Sequence, residues 1–446
     1  VTTTTQTEWT LHEAAEQLIE RLIEQLCERS PFLAALTARL PAETSTRLFD
    51  WLDHLAGPVS AADLTAAGYV DGYRTAPGVW RHPGAQLPAI VPDATTWQAA
   101  LRVDDCAAFA SAHASTRGVR GAELSGFRQA VVIDDGVVVS GVERRSWAGG
   151  ISTVEWAEDP VAESRRAWRL WAERPRTWGS SADVLDLVRV AEEMVALVGP
   201  DLAASYALEL ERAYWQRRNT AAVLQHARQD RLGLGWGNND HHTFRSSRVC
   251  FAPLIQVFRA LGFSARERFY AGAEAGWGAQ VMEHPGNGGV IFADVDLTPD
   301  EVAIDFAAQP LPPGSSLGLP LGTVGLWCAL HGESVLVAGM HHLEGQFEFD
   351  QLRTALTALG VGQLAPFSNF PHLRQAFTEA ERWPVPRSRL EPLVAAGELT
   401  AEKAEEFATR GAAGSHLENL ARRAGFKGFN QANVSTTMRA TDPRIL

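Results

Sequence analysis

The chain has few cysteines and no pattern among them: Cys27, Cys106, Cys250 and Cys328 are scattered, with no Cys-x-x-Cys pair. That excludes a disulfide framework and a cysteine zinc site, and it fits a reducing, cytoplasmic setting. There is no run of about 18 apolar residues, so no membrane span is expected. The N-terminus lacks the basic-then-apolar pattern of a secretory signal. No basic block is present to track phosphates, and the net charge of −13 comes from dispersed acidic residues. Nucleic acid is therefore set aside as a partner. What remains, 46% hydrophobic and 21% charged residues in a 446-residue chain, is the profile of a soluble globular protein. It is long enough for two or three domains and a core that needs no covalent staples.

The N-terminal region, residues 1–232, reads as helix-rich. A polar lead-in, Val1 to Thr5, precedes an amphipathic helix over Thr10 to Arg29, with Thr10 and Glu13 as a capping box. Ser30-Pro31 stops it. Residues 68–100 are rich in glycine and proline and read as irregular with short strands. Val131-Val132-Ile133 and Val137-Val138-Val139 flank Asp135-Gly136, which predicts a β-hairpin over 130–141. Residues 160–230 read as helical, broken at Gly199-Pro200, with Trp168, Trp171 and Trp178 as core anchors.

The glycine-rich stretch Gly233-Leu-Gly-Trp-Gly237 marks the expected boundary to a second domain, 233–446. Beyond it the pattern is strand His241 to Arg245, helix Phe251 to Leu261, then strands at 266–270, 276–283 and 289–297. A second strand begins within Ser334 to Leu343 and a second helix follows at Phe349 to Leu359. This predicts two βαβββ-type modules, the second carrying a helical insertion near 366–410.

Thirteen histidines occur, and two adjacent pairs, His241-His242 and His341-His342, head the two modules. Side chains alternate faces along a strand, so His241, Thr243 and Arg245 share one face, as do His416 and Glu418 if 414–420 is extended. Two imidazoles and one carboxylate on one side of a metal leave three positions open, the arrangement of non-haem iron(II) oxygenases. Arg245, on the ligand's own face, is placed to grip a substrate carboxylate. Each residue also has a plainer reading. The histidines suit hydrogen-bonded structural roles. Glu418 suits an exposed helix paired with Arg422, and Arg245 suits an ion pair with Asp240 or Asp294. His284 and His331 read as turn residues, His284 at the surface.

The second half resembles the 2-oxoadipate dioxygenase/decarboxylase family, whose fold is related to the vicinal oxygen chelate superfamily. The resemblance rests on Asp240-His-His-Thr-Phe-Arg245, Leu261-Gly-Phe263, Val290-Ile-Phe-Ala-Asp-Val-Asp296, His342-Leu343, and Gly414-Ser-His-Leu-Glu418 with Gly425-Phe-Lys-Gly-Phe429. It implies that His241, His342 and Glu418 bind Fe(II), with O2 as co-substrate, and that Arg245 holds a substrate carboxylate. Where the family has Asn before its second histidine this chain has His341, so the choice between His341 and His342 stays open.

The expected fold is α+β: a helix-rich N-terminal region and a vicinal-oxygen-chelate-like domain with a curved, barrel-like mixed sheet. The expected activity is oxidative decarboxylation and hydroxylation of a small 2-oxo or hydroxy carboxylic acid, with Tyr270, Trp277 and Phe429 as pocket walls. The alternatives are a metal-dependent lyase or isomerase that does not use O2, a non-catalytic ligand-binding protein, and an oxygenase whose larger or carrier-bound substrate docks against the N-terminal region.

Overall fold

The computed structural model describes residues 9–156, 158–430 and 434–446. The Thr-rich lead-in lies outside them. The first helix, α1 (Glu13–Arg29), is followed directly by α2 (Pro31–Thr44). Ser30 ends one and caps the other: its backbone N–H donates to the Leu26 carbonyl, and its hydroxyl accepts from the Leu33 N–H. The expected Thr10 cap does not form; His12 stands at the N-cap, and the Thr10 hydroxyl meets the His12 ring instead.

The N-terminal region has these helices, and the foreseen hairpin and the short strands expected within 68–100 join two further strands in an eight-stranded sheet. Its elements are β1 (Leu52–Gly57), α3 (Ala61–Ala66), β2 (Val70–Asp71), β3 (Trp80–Arg81), β4 (Ala89–Pro92), β5 (Gln98–Arg102), α4 (Cys106–Ala112), β6 (Val119–Arg120), β7 (Phe127–Asp134) and β8 (Val138–Arg144). The hairpin is β7–β8, turning at Gly136 with φ +100°. Three helices follow: α5 (Glu158–Ala172), α6 (Ser181–Gln216) and α7 (Thr220–Asp230). Gly199, at φ +78°, breaks α6 before Pro200. Trp171 is fully buried, but Trp178 is 40% exposed and anchors no core.

The glycine-rich stretch is buried and tightly packed. A Cβ at Gly237 would lie 1.9 Å from the Arg102 carbonyl oxygen, so only glycine lets the chain cross β5 this closely.

The C-terminal region runs β9 (Asn239–Arg245), α8 (Arg248–Ala260), β10 (Ser264–Tyr270), β11 (Trp277–Glu283), β12 (Val290–Asp296) and α9 (Thr323–His331). Then come β13 (His342–Gln346), α10 (Phe349–Ala358), β14 (Ser368–Phe370), β15 (Leu373–Phe377), β16 (Glu381–Trp383), α11 (Arg387–Ala395), α12 (Ala401–Arg410), β17 (Ala412–Arg422) and α13 (Ser435–Arg439). The second module's strand starts at His342, eight residues later than expected. The helices expected over 366–410 fill only its second half; strands β14 to β16 occupy the first.

This is the expected α+β fold, with two βαβββ modules joined in one curled, half-barrel sheet of order β10-β11-β12-β9-β13-β17-β15-β14. The N-terminal sheet has the same plan, β2-β3-β4-β1-β5-β8-β7-β6. In each sheet the two leading strands run antiparallel at the centre, β1 with β5 and β9 with β13. In each, the last strand of a module lies parallel to its first. The helices α5, α6 and α8 pack into one core with the face of the C-terminal sheet opposite its concave side, and α1, α2 and α4 into a second core on the N-terminal sheet. Among the described residues no helix is long and apolar enough to cross a membrane.

Candidate metal centre

Strand alternation sorts the paired histidines. His241 faces the concave side of the sheet; His242 faces away, with its Nε2 3.4 Å from the Arg212 guanidinium. In the second pair, His342 points its Nε2 toward Glu344 and Glu418, at 2.7 and 3.6 Å. His341 turns behind it, with its Nδ1 2.5 Å from the Nδ1 of His342 and its ring edge-on to Trp327. Residues 412–422 are extended in β17, so the plainer reading of Glu418 as an exposed helical residue does not hold. His284 is buried rather than at the surface, and its Nδ1 accepts the N–H groups of Gly286 and Asn287. His331 is a structural residue whose Nε2 bonds the Ala413 carbonyl.

His241, His342 and Glu418 line one cavity together with Glu344, but the compact group of ligand atoms there has Glu344 in the place expected for His342. Glu344 Oε1 lies 2.6 Å from His241 Nε2 and 2.7 Å from His342 Nε2. Ligand atoms of His241, Glu344 and Glu418 all lie within 4.8 Å of one another. The register explains the convergence: Glu344 pairs with His241 across β13–β9 and with Glu418 across β13–β17. One signal for Glu344 was present in the sequence. His342-x-Glu344 is the period-two spacing that puts both side chains on one strand face.

Behind His241 stands Asp240. Its carboxylate accepts the His241 Nδ1–H at 2.8 Å and is gripped by both arms of Arg422, at 2.8 and 3.0 Å. Gln86 and Gln346 donate to its other face. The Arg422 guanidinium holds the Asp240 carboxyl far below the usual carboxylate range despite burial. With its Nδ1–H committed to Asp240, the His241 ring presents the Nε2 lone pair to the cavity. Glu418 is oriented by Gln375, whose amide donates at 2.8 Å.

The electrostatics point one way. Burial drives the His241 pKa down to about 4 and that of His342 well below its ordinary value, so both rings are neutral. Burial raises both facing carboxyls, Glu418 to about 8 and Glu344 well above the usual range. Two imidazole nitrogens approach one Glu344 oxygen, and a single acid proton can serve only one of them. No lysine or arginine is among the described residues lining the cavity. A divalent cation held by His241, Glu344 and Glu418 would remove that conflict, so the donor set fits a metal.

The cavity has a volume of about 40 Å³ and aromatic walls, among them Phe269, Trp277, Phe292, Phe377 and Phe429. Trp277 and Phe429 are walls as expected. Phe269 takes the place expected for Tyr270, one residue along and on the opposite strand face. Arg245 is buried on the ligand face of β9. Its Nε has no hydrogen-bond partner, and its nearest anion is Asp294, at 3.8 Å. Asp294 lines the cavity, and burial raises its pKa to about 7 against the pull of Arg245.

No family model matches the chain, and no curated protein matches it. Among solved structures it is similar to a triple mutant of 4-hydroxymandelate synthase from Streptomyces coelicolor. That likeness has 12% identity and a TM-score of 0.29 over 88% of this chain and 98% of that one. It is also similar to a xylose isomerase-like TIM barrel/4-hydroxyphenylpyruvate dioxygenase fusion protein. There the identity is 11% and the TM-score 0.23, over 88% of this chain and 52% of that one.

The N-terminal sheet carries a counterpart of this centre. Strand registers equate Asp53 with Asp240, His54 with His241, and Arg144 with Arg422. The support is the same: Asp53 accepts from His54 Nδ1 at 2.8 Å and from both arms of Arg144, at 2.9 and 2.6 Å. The ligand positions differ. Gln98 stands for His342, Ala100 for Glu344 and Ser140 for Glu418. The Gln98 amide lies 3.3 Å from His54 Nε2, so neutral hydrogen bonding replaces the metal donors.

Proposed function

We propose that the protein is a non-haem iron(II)-dependent oxygenase acting on a small 2-oxo or hydroxy carboxylic acid, with oxidative decarboxylation and hydroxylation. The observation that carries this reading is the convergence of His241, His342 and Glu418 from one sheet face on a buried, aromatic-walled cavity. Bound there, iron(II) supplies O2 activation and chelation of the acid. The chain's own residues do the positioning. Asp240 fixes the His241 tautomer, and Gln375 orients Glu418. Arg245 lies outside the cavity lining, behind Asp294; its Nε makes no hydrogen bond, and from there it holds the substrate carboxylate. The aromatic walls keep bulk water from the reacting groups.

Glu344 favours a second reading. As a fourth protein ligand it would leave two open positions rather than three, enough for a chelating substrate but not for O2 as well. That suits a Lewis-acid lyase or isomerase.

Protein purified without oxygen separates the two. The oxygenase reading expects bound iron, O2 uptake with 2-oxo acids, and loss of metal in both His241→Ala and Glu418→Ala. Full metal occupancy in either variant defeats the ligand assignment. Turnover without O2, abolished by Glu344→Gln, establishes the second reading.

A further inference from the structure

A second cavity, of about 180 Å³, lies between the two sheets and is not used by the reading above. Four carboxylates reach its walls, and each is already neutralised. Asp50 is held by Arg47, Asp53 by Arg144, Asp240 by Arg422, and Glu283 by Lys427 at 2.8 Å. Two guanidinium groups on the same walls have no such partner. Arg102, at the end of β5, makes no side-chain hydrogen bond or ion pair with any described residue. Arg81 donates to the Arg74 carbonyl at 3.3 Å and lies 4.4 Å from the Trp147 ring, but meets no carboxylate among the described residues. Burial, with repulsion from Arg144, lowers the Arg81 pKa to about 10 against the pull of Asp53 and Glu283.

The loop between β11 and β12 leaves room beside Arg81. Gly288 sits at φ +78°, and a Cβ there would come within 3.8 Å of Arg81 Nη2. Unpaired, partly desolvated arginines are costly to a fold unless something else uses them. A planar guanidinium matches carboxylate and phosphate oxygens through paired N–H groups.

We propose that this inter-sheet cavity binds a small organic oxyanion, bearing carboxylate or phosphate groups, between Arg81 and Arg102. The occupant lies one side chain behind the metal centre. Gln86 and Gln346 line the cavity and donate to Asp240, the residue that orients His241.

The test is thermal unfolding of the full chain with inorganic phosphate or succinate as probe, against chloride at equal ionic strength. At least one probe is expected to raise Tm by about 3 °C at roughly a hundredfold excess over its Kd. Which probe acts decides between phosphate and carboxylate. Arg102→Met and Arg81→Met should each abolish the shift, while Arg245→Met keeps it. In probe-free buffer Arg102→Met should melt no lower than wild type, because the cation removed had no partner. The proposal is overturned if neither probe exceeds chloride, if the shift survives both cavity variants, or if Arg245→Met abolishes it, which places the ligand at the metal pocket. A lower probe-free Tm in Arg102→Met also overturns it, by making that arginine structural.

Discussion

His54 and His241 hold the same position in two copies of one structural plan. Each donates its Nδ1–H to the aspartate before it, at 2.8 Å, and each aspartate is clamped by an arginine four residues beyond the third ligand position. Only the partners at the other ligand positions differ. His54 faces an amide; His241 faces two carboxylates and a second imidazole.

That pairing sets the metal content. One ion per chain is expected, lost in His241→Ala and retained in His54→Ala, as read by elemental analysis. The double variant Gln98→His/Ser140→Glu restores donors at two of the three changed positions, leaving Ala100, and is expected to add a second ion. A content that stays at one ion would mean that the N-terminal copy has lost the geometry as well as the donors.

Asp240→Asn keeps the shape of the side chain but removes the charge that orients His241. Metal affinity is expected to fall by about 10–100-fold, the usual effect of losing such a support. Titration with a competing chelator measures it, and an unchanged affinity removes Asp240 from that role.

Arg245→Lys retains the charge and loses the planar fork. Substrate KM is expected to rise by about 10–100-fold, equivalent to one charge-assisted hydrogen bond, while metal content stays constant. An unaltered KM would exclude the carboxylate clamp.

Asp294 makes stability depend on pH. Its folded pKa of about 7 lies above the ordinary 3.8. Between those values the folded state binds the extra proton, so its contribution to stability falls as pH rises and is flat above about 7. Denaturant melts of Asp294→Asn across that window should lack this decline. The same slope in the variant would assign it to another group.

Gly237→Ala forces a methyl carbon against the Arg102 carbonyl. Overpacking against backbone is expected to cost about 1–3 kcal/mol, seen as a lower denaturation midpoint. No loss would mean that the crossing over β5 is loose.

Much of the C-terminal half could be read in advance because its strands are long and its helices end at glycine. β9, α8 and α10 fall close to where periodicity and breakers put them. The N-terminal sheet could be read only as its hairpin and as unplaced short strands within 68–100. β2, β3 and β6 are two residues long, too short for any alternation to register. The equivalence of Asp53-His54 with Asp240-His241 emerges only when strand registers are aligned.

Residue types and their period-two spacing determined which side chains share a strand face: His241 with Arg245, His342 with Glu344, and His416 with Glu418. Tertiary pairing alone decided which of those faces meet. The β13–β17 and β9–β13 registers bring Glu344 between His241 and Glu418 and turn His341 aside. A strand's own sequence sets where its side chains point, but the partner across the ladder is chosen by long-range packing, which no local pattern encodes.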